Sequence, residues 1–198
     1  MNRRASAGLW TRDRVAREGR LDPALIQRAR TGDVDAFTAL VAGRLEPMQR
    51  TAMAILGHEA DARDAMSDAL VAIWRELPRL RDPLAFEAWS TRILVHACRR
   101  RLRSRVRTRV REVTMDAAEA GRSMRAAPGP ADDAADRLAL ERAFDRLDAD
   151  ARTILVLHHL DGRGLAEVGT ILGIPIGTAK SRLFAARKAF ERSLERER

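Results

Sequence analysis

Between residues 60 and 77, Met66, Ala69, Leu70, Ile73, Trp74 and Leu77 recur at spacings of three and four, the signature of a helix with one buried face. Pro78 ends that helix, because proline lacks the amide needed to extend the hydrogen-bond ladder. The opposite face presents Asp64, Ser67, Asp68, Val71 and Arg75, two acids beside an apolar residue. Taken as a bare pattern, such a face is either solvated or a docking surface. Aromatics at 4%, the absence of Tyr and only 12 Gly favour the same helical period elsewhere over sheet. We therefore expect an all-α chain, and 198 residues suit two small helical domains joined by a flexible linker.

Residues 1–20 carry Arg3, Arg4, Arg12, Arg14, Arg17 and Arg20 with little periodicity, and read as a mobile basic arm or a plain solvated tail. The first domain is expected over residues 21–111. Leu21, Leu25, Ile26 and Ala29 begin it, Gly32 fits the end of one helix, and Asp33 caps the next, which turns Phe37, Leu40 and Val41 inward. Asp82 as N-cap and Pro83 at the first helical position open a later helix with Phe86, Trp89, Ile93 and Ala97 as its inner stripe. Its distal part holds Arg99, Arg100, Arg101, Arg103, Arg105, Arg107, Arg109 and Arg111 without one acid. Like charges at helical neighbour spacing repel, so folding alone explains this run poorly, whereas a phosphate backbone would neutralise it.

Residues 112–136 lose the period and fill with Ala, Gly, Pro and the acids Glu112, Asp116, Glu119, Asp132, Asp133 and Asp136, as an acidic linker would. The second domain, residues 137–198, shows four helical segments. Leu140, Phe144 and Leu147 mark the first; Asp148 caps a second with Ile154, Leu155 and Leu157. A short helix from Leu165 to Leu172, the turn Gly173-Ile174-Pro175 and a long helix bearing Lys180, Arg182, Arg187 and Lys188 follow. That order fits a helix-turn-helix whose second helix enters a major groove, with a self-packed helical hairpin as the other reading.

The formal charge of +9 points to a polyanion, either nucleic acid or an anionic membrane surface. Without an apolar run of about 20 residues the chain should not insert in a membrane, and without a signal peptide it should be cytoplasmic. The single Cys98, in an apolar helical pattern, reads as a buried structural thiol. No phosphate loop, zinc spacing or nucleophile motif suggests an enzyme or a cofactor. His158 and His159 are adjacent and project about 100 degrees apart on a helix, so they cannot share a metal as an i, i+4 pair would, and His96 with Cys98 fails likewise.

Three further runs complete the pattern. Residues 25–40 read L-I-x-x-A-x-x-G-D-x-x-A-F-x-x-L, residues 61–74 read D-A-x-D-A-x-x-D-A-L-x-x-x-W, and residues 86–93 read F-x-x-W-x-x-R-I. In the second half Asp161-Gly162 leads through Glu167-Val168-Gly169 to Leu172-Gly173-Ile174-Pro175-Ile176-Gly177-Thr178-Ala179-Lys180-Ser181-Arg182-Leu183. In order and separation these motifs resemble the two conserved regions of extracytoplasmic-function sigma factors of the sigma-70 family, over most of residues 21–104 and 137–194.

The resemblance implies an alternative sigma factor that binds core RNA polymerase, through the β′ clamp helices and the β flap, and directs initiation at promoter DNA. It assigns polymerase docking to Asp64, Ser67, Asp68, Val71 and Arg75, with Ser67 and Asp68 where relatives usually carry Gln and Glu. It assigns minus-10 recognition to the loop at residues 80–85 and the following helix: Arg81, Asp82, Arg92, His96, Arg99, Arg100 and Arg103. A captured base needs donors beside a cationic track. His96 replaces a common Asn. Minus-35 recognition falls to Gly177, Thr178, Lys180, Ser181, Arg182, Phe184 and Arg187, with Ala185 where relatives are often basic. The acidic linker would thread toward the RNA exit path, and an anti-sigma factor is a common partner, although no residue here identifies one. The alternatives are a stand-alone helix-turn-helix regulator and a basic helical protein that binds RNA or structures a complex without promoter specificity.

Overall fold

The structure, a computed structural model, describes residues 23–112 and 131–197, so the basic arm and most of the acidic linker lie outside the described residues. Every regular element among the described residues is helical, as expected. α1 (Pro23–Arg30) and α2 (Val34–Leu56) meet at a turn where Gly32 takes φ 93 and the Asp33 carboxylate accepts from the Ala36 amide at 2.9 Å and from Arg28 Nε at 2.8 Å. Accepting the free Ala36 amide in a cap is what lets α2 start sharply. It then runs through Pro47, well beyond Val41, where the apolar pattern alone stops speaking.

Gly57, with φ 67, closes α2 and leads into α3 (Glu59–Glu76), which buries Ala62, Ala65, Met66, Ala69 and Ile73. Trp74 is half-buried, its ring edge-on to Phe37 at 4.8 Å. Pro78 sits in a 3₁₀ turn, Leu77–Arg79, that ends the helix. Asp82 accepts from the Leu84 amide at 2.9 Å and caps a second 3₁₀ turn, Pro83–Ala85, which passes into α4 (Phe86–Glu112).

α4 departs from the single stripe expected of it. Phe86 and Ala97 are buried, but Trp89 and Ile93 only half so, while Ser90, Thr91, Leu94, Val95, Cys98 and Leu102 are buried as well. The reason is that α4 is covered on two sides: by α2 and α3 of its own unit, and by helices of the second unit. Ser90 and Thr91 satisfy their hydroxyls on the Glu87 carbonyl, at 3.0 and 2.8 Å, so their burial leaves no orphan. Cys98 is the buried thiol expected, pushed up to about 12 by desolvation.

The second unit begins with α5 (Ala131–Asp145), inside the segment read as linker; alanines and the acids Asp132 and Asp133 suit a helix start. Leu140, expected inward, is exposed, and Ala143 takes the buried place. α6 (Ala149–Leu155) is capped by Asp148, which accepts from the Ala151 amide at 2.7 Å, and it widens into a π turn, Val156–Leu160. α7 (Leu165–Leu172) and α8 (Ile176–Glu195) are joined by Gly173, φ 67. Here Gly169 is required by close approach: a Cβ on it would stand 2.9 Å from the Ile174 carbonyl oxygen, whose own amide bonds the Gly169 carbonyl at 2.9 Å. That tight turn fixes the helix-turn-helix rather than a loose hairpin. Ala179, Leu183 and Ala186 of α8 face inward.

The two units share one core. A continuous buried cluster runs from Ile26 through Ile73 and Cys98 to Ile154, Ile171 and Ala186. Each fully buried aliphatic side chain in it contributes about 1.5–3 kcal/mol.

Candidate nucleic-acid interface

α8 turns its buried Ala179, Leu183 and Ala186 inward, so the residues between them must face out, and Lys180, Ser181, Arg182, Phe184 and Arg187 are all exposed. Gly177 is exposed and Thr178 half-buried in the first turn, where free helix amides can meet a phosphate. Phe184 is 60% exposed, with Lys188 Nζ 4.8 Å above its ring. Two of the cations are steered by neighbours. Arg187 Nε donates to His159 Nε2 at 3.1 Å, and Arg182 lies 3.8 Å from the Asp150 carboxylate. Burial and the nearby Arg187 hold His159 below its ordinary value, which suits a neutral ring accepting from that guanidinium.

On α4, Arg92, His96, Arg99, Arg100 and Arg103 follow spacings of three and four, so they form one row; Arg99 is the most covered of them. Arg81 and Asp82 are exposed on the loop ahead of the helix, at the far end of that row, with the Asp82 carboxylate already committed to its cap. His96 is pushed below its ordinary value by burial, then by Arg92, Arg99, Arg103 and Arg100 around it. A groove of about 370 Å³ between α3 and α4 is lined by Asp68, Trp89, Arg92, His96 and Arg100 among others. Trp89, whose ring sits 5.9 Å from Phe86, therefore has one face in the core and one on this groove.

Asp64, Ser67, Asp68, Val71 and Arg75 occupy one outward face of α3, with Val71 half-exposed. Ser67 Oγ donates to the Arg63 carbonyl at 3.0 Å, turning back on its own helix. The two acids reach across to α4: Asp64 pairs with Arg101 at 2.9 Å, and Asp68 with Arg100 at 3.1 Å and Arg101 at 3.7 Å. The acids of one surface and the arginines of another are thus ion-paired, a link that neither helical period reveals.

A polar network between the units also escaped the sequence. Thr51 Oγ1 donates to Asp161, lying 3.1 and 3.0 Å from its two oxygens, across 110 residues of chain. Arg163 reaches Glu87 at 3.2 Å and Thr91 at 3.3 Å while also pairing with Glu167; Arg44 pairs with the same Glu87 at 3.0 Å. Arg99 meets Asp150 at 2.5 Å. Burial raises Asp161 above the ordinary carboxylate value, outweighing the Thr51 bond and the arginines at 163, 50 and 44. No residue pattern could have paired these positions, because each is a lone polar side chain on an otherwise ordinary helix or turn.

Among the described residues no group of three His, Cys, Asp or Glu could hold a metal, and no helix is long and apolar enough to cross a membrane. The His158 and His159 rings stand edge-on at 4.8 Å, and His158 Nδ1 is 2.9 Å from the Arg163 carbonyl.

Comparison with known proteins follows the same two-part division. The family described as Sigma-70 region 2 matches residues 40–108, and Sigma-70, region 4 matches residues 137–190, together more than half of the chain. The ECF RNA polymerase sigma-E factor of Escherichia coli (strain K12) is 26% identical over 181 residues, covering 88% of this chain and 94% of that protein. The RNA polymerase sigma-H factor of Pseudomonas aeruginosa is 27% identical over 182 residues, with the same coverage. Among solved structures, CnrH in complex with the cytosolic domain of CnrY matches the fold with a TM-score of 0.62 at 24% identity, covering 90% of this chain and 99% of that one. The sigma factor RpoE of Bartonella quintana, in complex with the anti-sigma factor NepR, has a TM-score of 0.57 at 25% identity, covering 84% and 99%.

Proposed function

We propose roles for the individual surfaces of a chain that belongs to the sigma-70 family, in its extracytoplasmic-function (ECF) group. As an alternative sigma factor it directs transcription initiation. The first module, residues 21–111, docks on core RNA polymerase through Asp64, Ser67, Asp68, Val71 and Arg75, which meet the β′ clamp helices. It captures the minus-10 element with Arg81, Asp82, Arg92, His96, Arg99, Arg100 and Arg103. The second, residues 137–198, reads the minus-35 element with Gly177, Thr178, Lys180, Ser181, Arg182, Phe184 and Arg187 and rests on the β flap.

The observation that supports this division is that each set lies in the matching region, and that the docking set on α3 and the minus-35 set on α8 each fall on one outward helix face. The α8 row in particular pairs outward cations with an inward Ala179-Leu183-Ala186 seam, as a helix laid in a major groove requires. Phosphate contacts by the α4 row would position the displaced strand without reading it. An anti-sigma factor is a fitting partner, since the RpoE relative is held by one. The work is non-enzymatic, needs no cofactor and takes place in the cytoplasm, where the polymerase is.

Transcription in vitro on a library of promoters, with core polymerase alone, this protein alone and both together, tests the reading. Specific initiation should require both. A protein that shifts its own operator without polymerase and adds no specificity to it would be the stand-alone regulator instead.

A further inference from the structure

α6 packs against α8, and beyond Leu155 the chain widens into the π turn that carries His158 and His159. Neither histidine belongs to any of the surfaces assigned above. Their rings stand edge-on at 4.8 Å on a widened turn of the kind that proteins often keep at functional sites. The Arg163 carbonyl can only accept, so His158 Nδ1, 2.9 Å away, carries a proton and ties its ring to the turn that follows. His158 packs on His159, whose Nε2 accepts from Arg187 Nε at 3.1 Å. Accepting there requires a neutral ring with its proton on Nδ1. Burial, then Arg187 and His158, hold His159 below its ordinary value and so keep it neutral.

This bond engages Nε alone. No acid among the described residues pairs with the two Nη groups of Arg187. Arg187 is exposed, seven residues from Lys180 and so on the same outward face, and it lies about 15 Å along α8 from Gly177. Base edges are reached by the first turns of a recognition helix, so a guanidinium this far along meets the backbone beside the groove.

We propose that His159 is a positioning residue for minus-35 binding, which holds the Arg187 guanidinium with both Nη groups outward, aimed at one backbone phosphate of the duplex. The proposal rests on the functional reading above, which counts Arg187 among the minus-35 contacts and gives His159 no part. An unrestrained arginine gives up much rotamer freedom when it takes hold of a phosphate; His159 fixes the side chain before DNA arrives, so less is lost on binding. Such a contact sets the register of the duplex and reads no base.

Binding of reconstituted holoenzyme to a minus-35-dependent promoter tests this with His159→Leu, which removes the acceptor at an exposed position, and His159→Gln, whose Oε1 can accept in place of Nε2. His159→Leu should weaken binding about threefold to fivefold, the scale of one lost hydrogen bond, and uniformly across promoters with single minus-35 changes. His159→Gln should restore it. Arg187→Gln should lower the salt slope by about one, and adding His159→Leu to it should bring no further loss. A scan of single methylphosphonate linkages, each neutralising one phosphate, should find one position at which the unaltered chain and His159→Leu bind alike. In the free full chain labelled with 15N, the Arg187 Nε–H signal should be protected from exchange in the unaltered protein and in His159→Gln, and unprotected in His159→Leu.

Additive losses, no rescue by glutamine, a loss confined to one base pair, or full binding by a folded His159→Leu overturns the proposal. Should His159→Leu lose its helical circular dichroism, His159→Ala takes its place. An Arg187→Gln variant that binds like the unaltered chain removes both residues from the interface and overturns the proposal while the functional reading stands. Failure of the unaltered chain to initiate with core polymerase overturns the functional reading and the phosphate role with it, whereas the Nε–H signal alone decides whether His159 holds Arg187.

Discussion

The two helices proposed to face DNA hold their positive charge in different ways. On α4 three arginines are engaged by acids: Arg99 with Asp150 of the other module, Arg100 with Asp68, and Arg101 with Asp64 and Asp68 of α3. On α8, Lys180 is exposed and no ion pair among the described residues holds it, while Arg187 leans on a neutral histidine rather than an acid. The difference lies in what a phosphate or base must displace. Binding at Lys180 adds a contact to an open group, whereas binding at Arg99 or Arg100 exchanges one anion for another, so each of these two arginines contributes less than its charge suggests.

Lys180→Ala should therefore have the greater effect. If the ammonium reaches a base, the loss is about 1–3 kcal/mol at the minus-35 element and specificity relaxes at that one position. Transcription by the reconstituted holoenzyme from promoters with single minus-35 changes measures it, and unchanged transcription from a minus-35-dependent promoter removes Lys180 from the contact set. Arg100→Ala should cost less, of order 0.5–1 kcal/mol, because the Asp68 pair lost in the free protein offsets part of the lost phosphate contact. Its mark is a salt slope for promoter binding lower by about one, uniform across sequences. A cost for Arg100→Ala as great as that for Lys180→Ala would erase the contrast between the helices.

This contrast also separates what the sequence could say from what it could not. The α8 row was legible because its chemistry is local: a seam at 179, 183 and 186, cations between, and a Gly173 turn before it. So was the α3 face. The neighbours of the α4 row were not, since Asp150 reaches Arg99 from the other unit, 51 residues along the chain. The second buried face of α4 was illegible for the same reason. Thr91 and Ser90 look polar in the sequence and become interior only when another unit covers them and Glu87 accepts their hydroxyls. Local period predicts a helix's own unit; it carries no information about what docks on its far side.

His96 lies at the centre of the α4 row and gives the weakest but most diagnostic effect. Burial and the four surrounding arginines lower its folded value, so the unfolded chain takes up its proton first as pH falls. The stability associated with a neutral His96 is thus complete above the unfolded value of about 6.5 and is lost as pH falls from there through the folded value. Promoter binding should carry the opposite sign. Phosphates that neutralise Arg92, Arg99, Arg100 and Arg103 remove the repulsion on the imidazolium, so minus-10 binding takes up a proton and tightens as pH falls through the same window. Comparing minus-10 affinity of the holoenzyme across that window for the unaltered chain and for His96→Gln isolates this proton from those of His159 and Asp161. Acid tightening should vanish in His96→Gln; if it persists in full, the α4 row does not meet phosphate at His96, and the strand must run along the Arg100–Arg103 side instead.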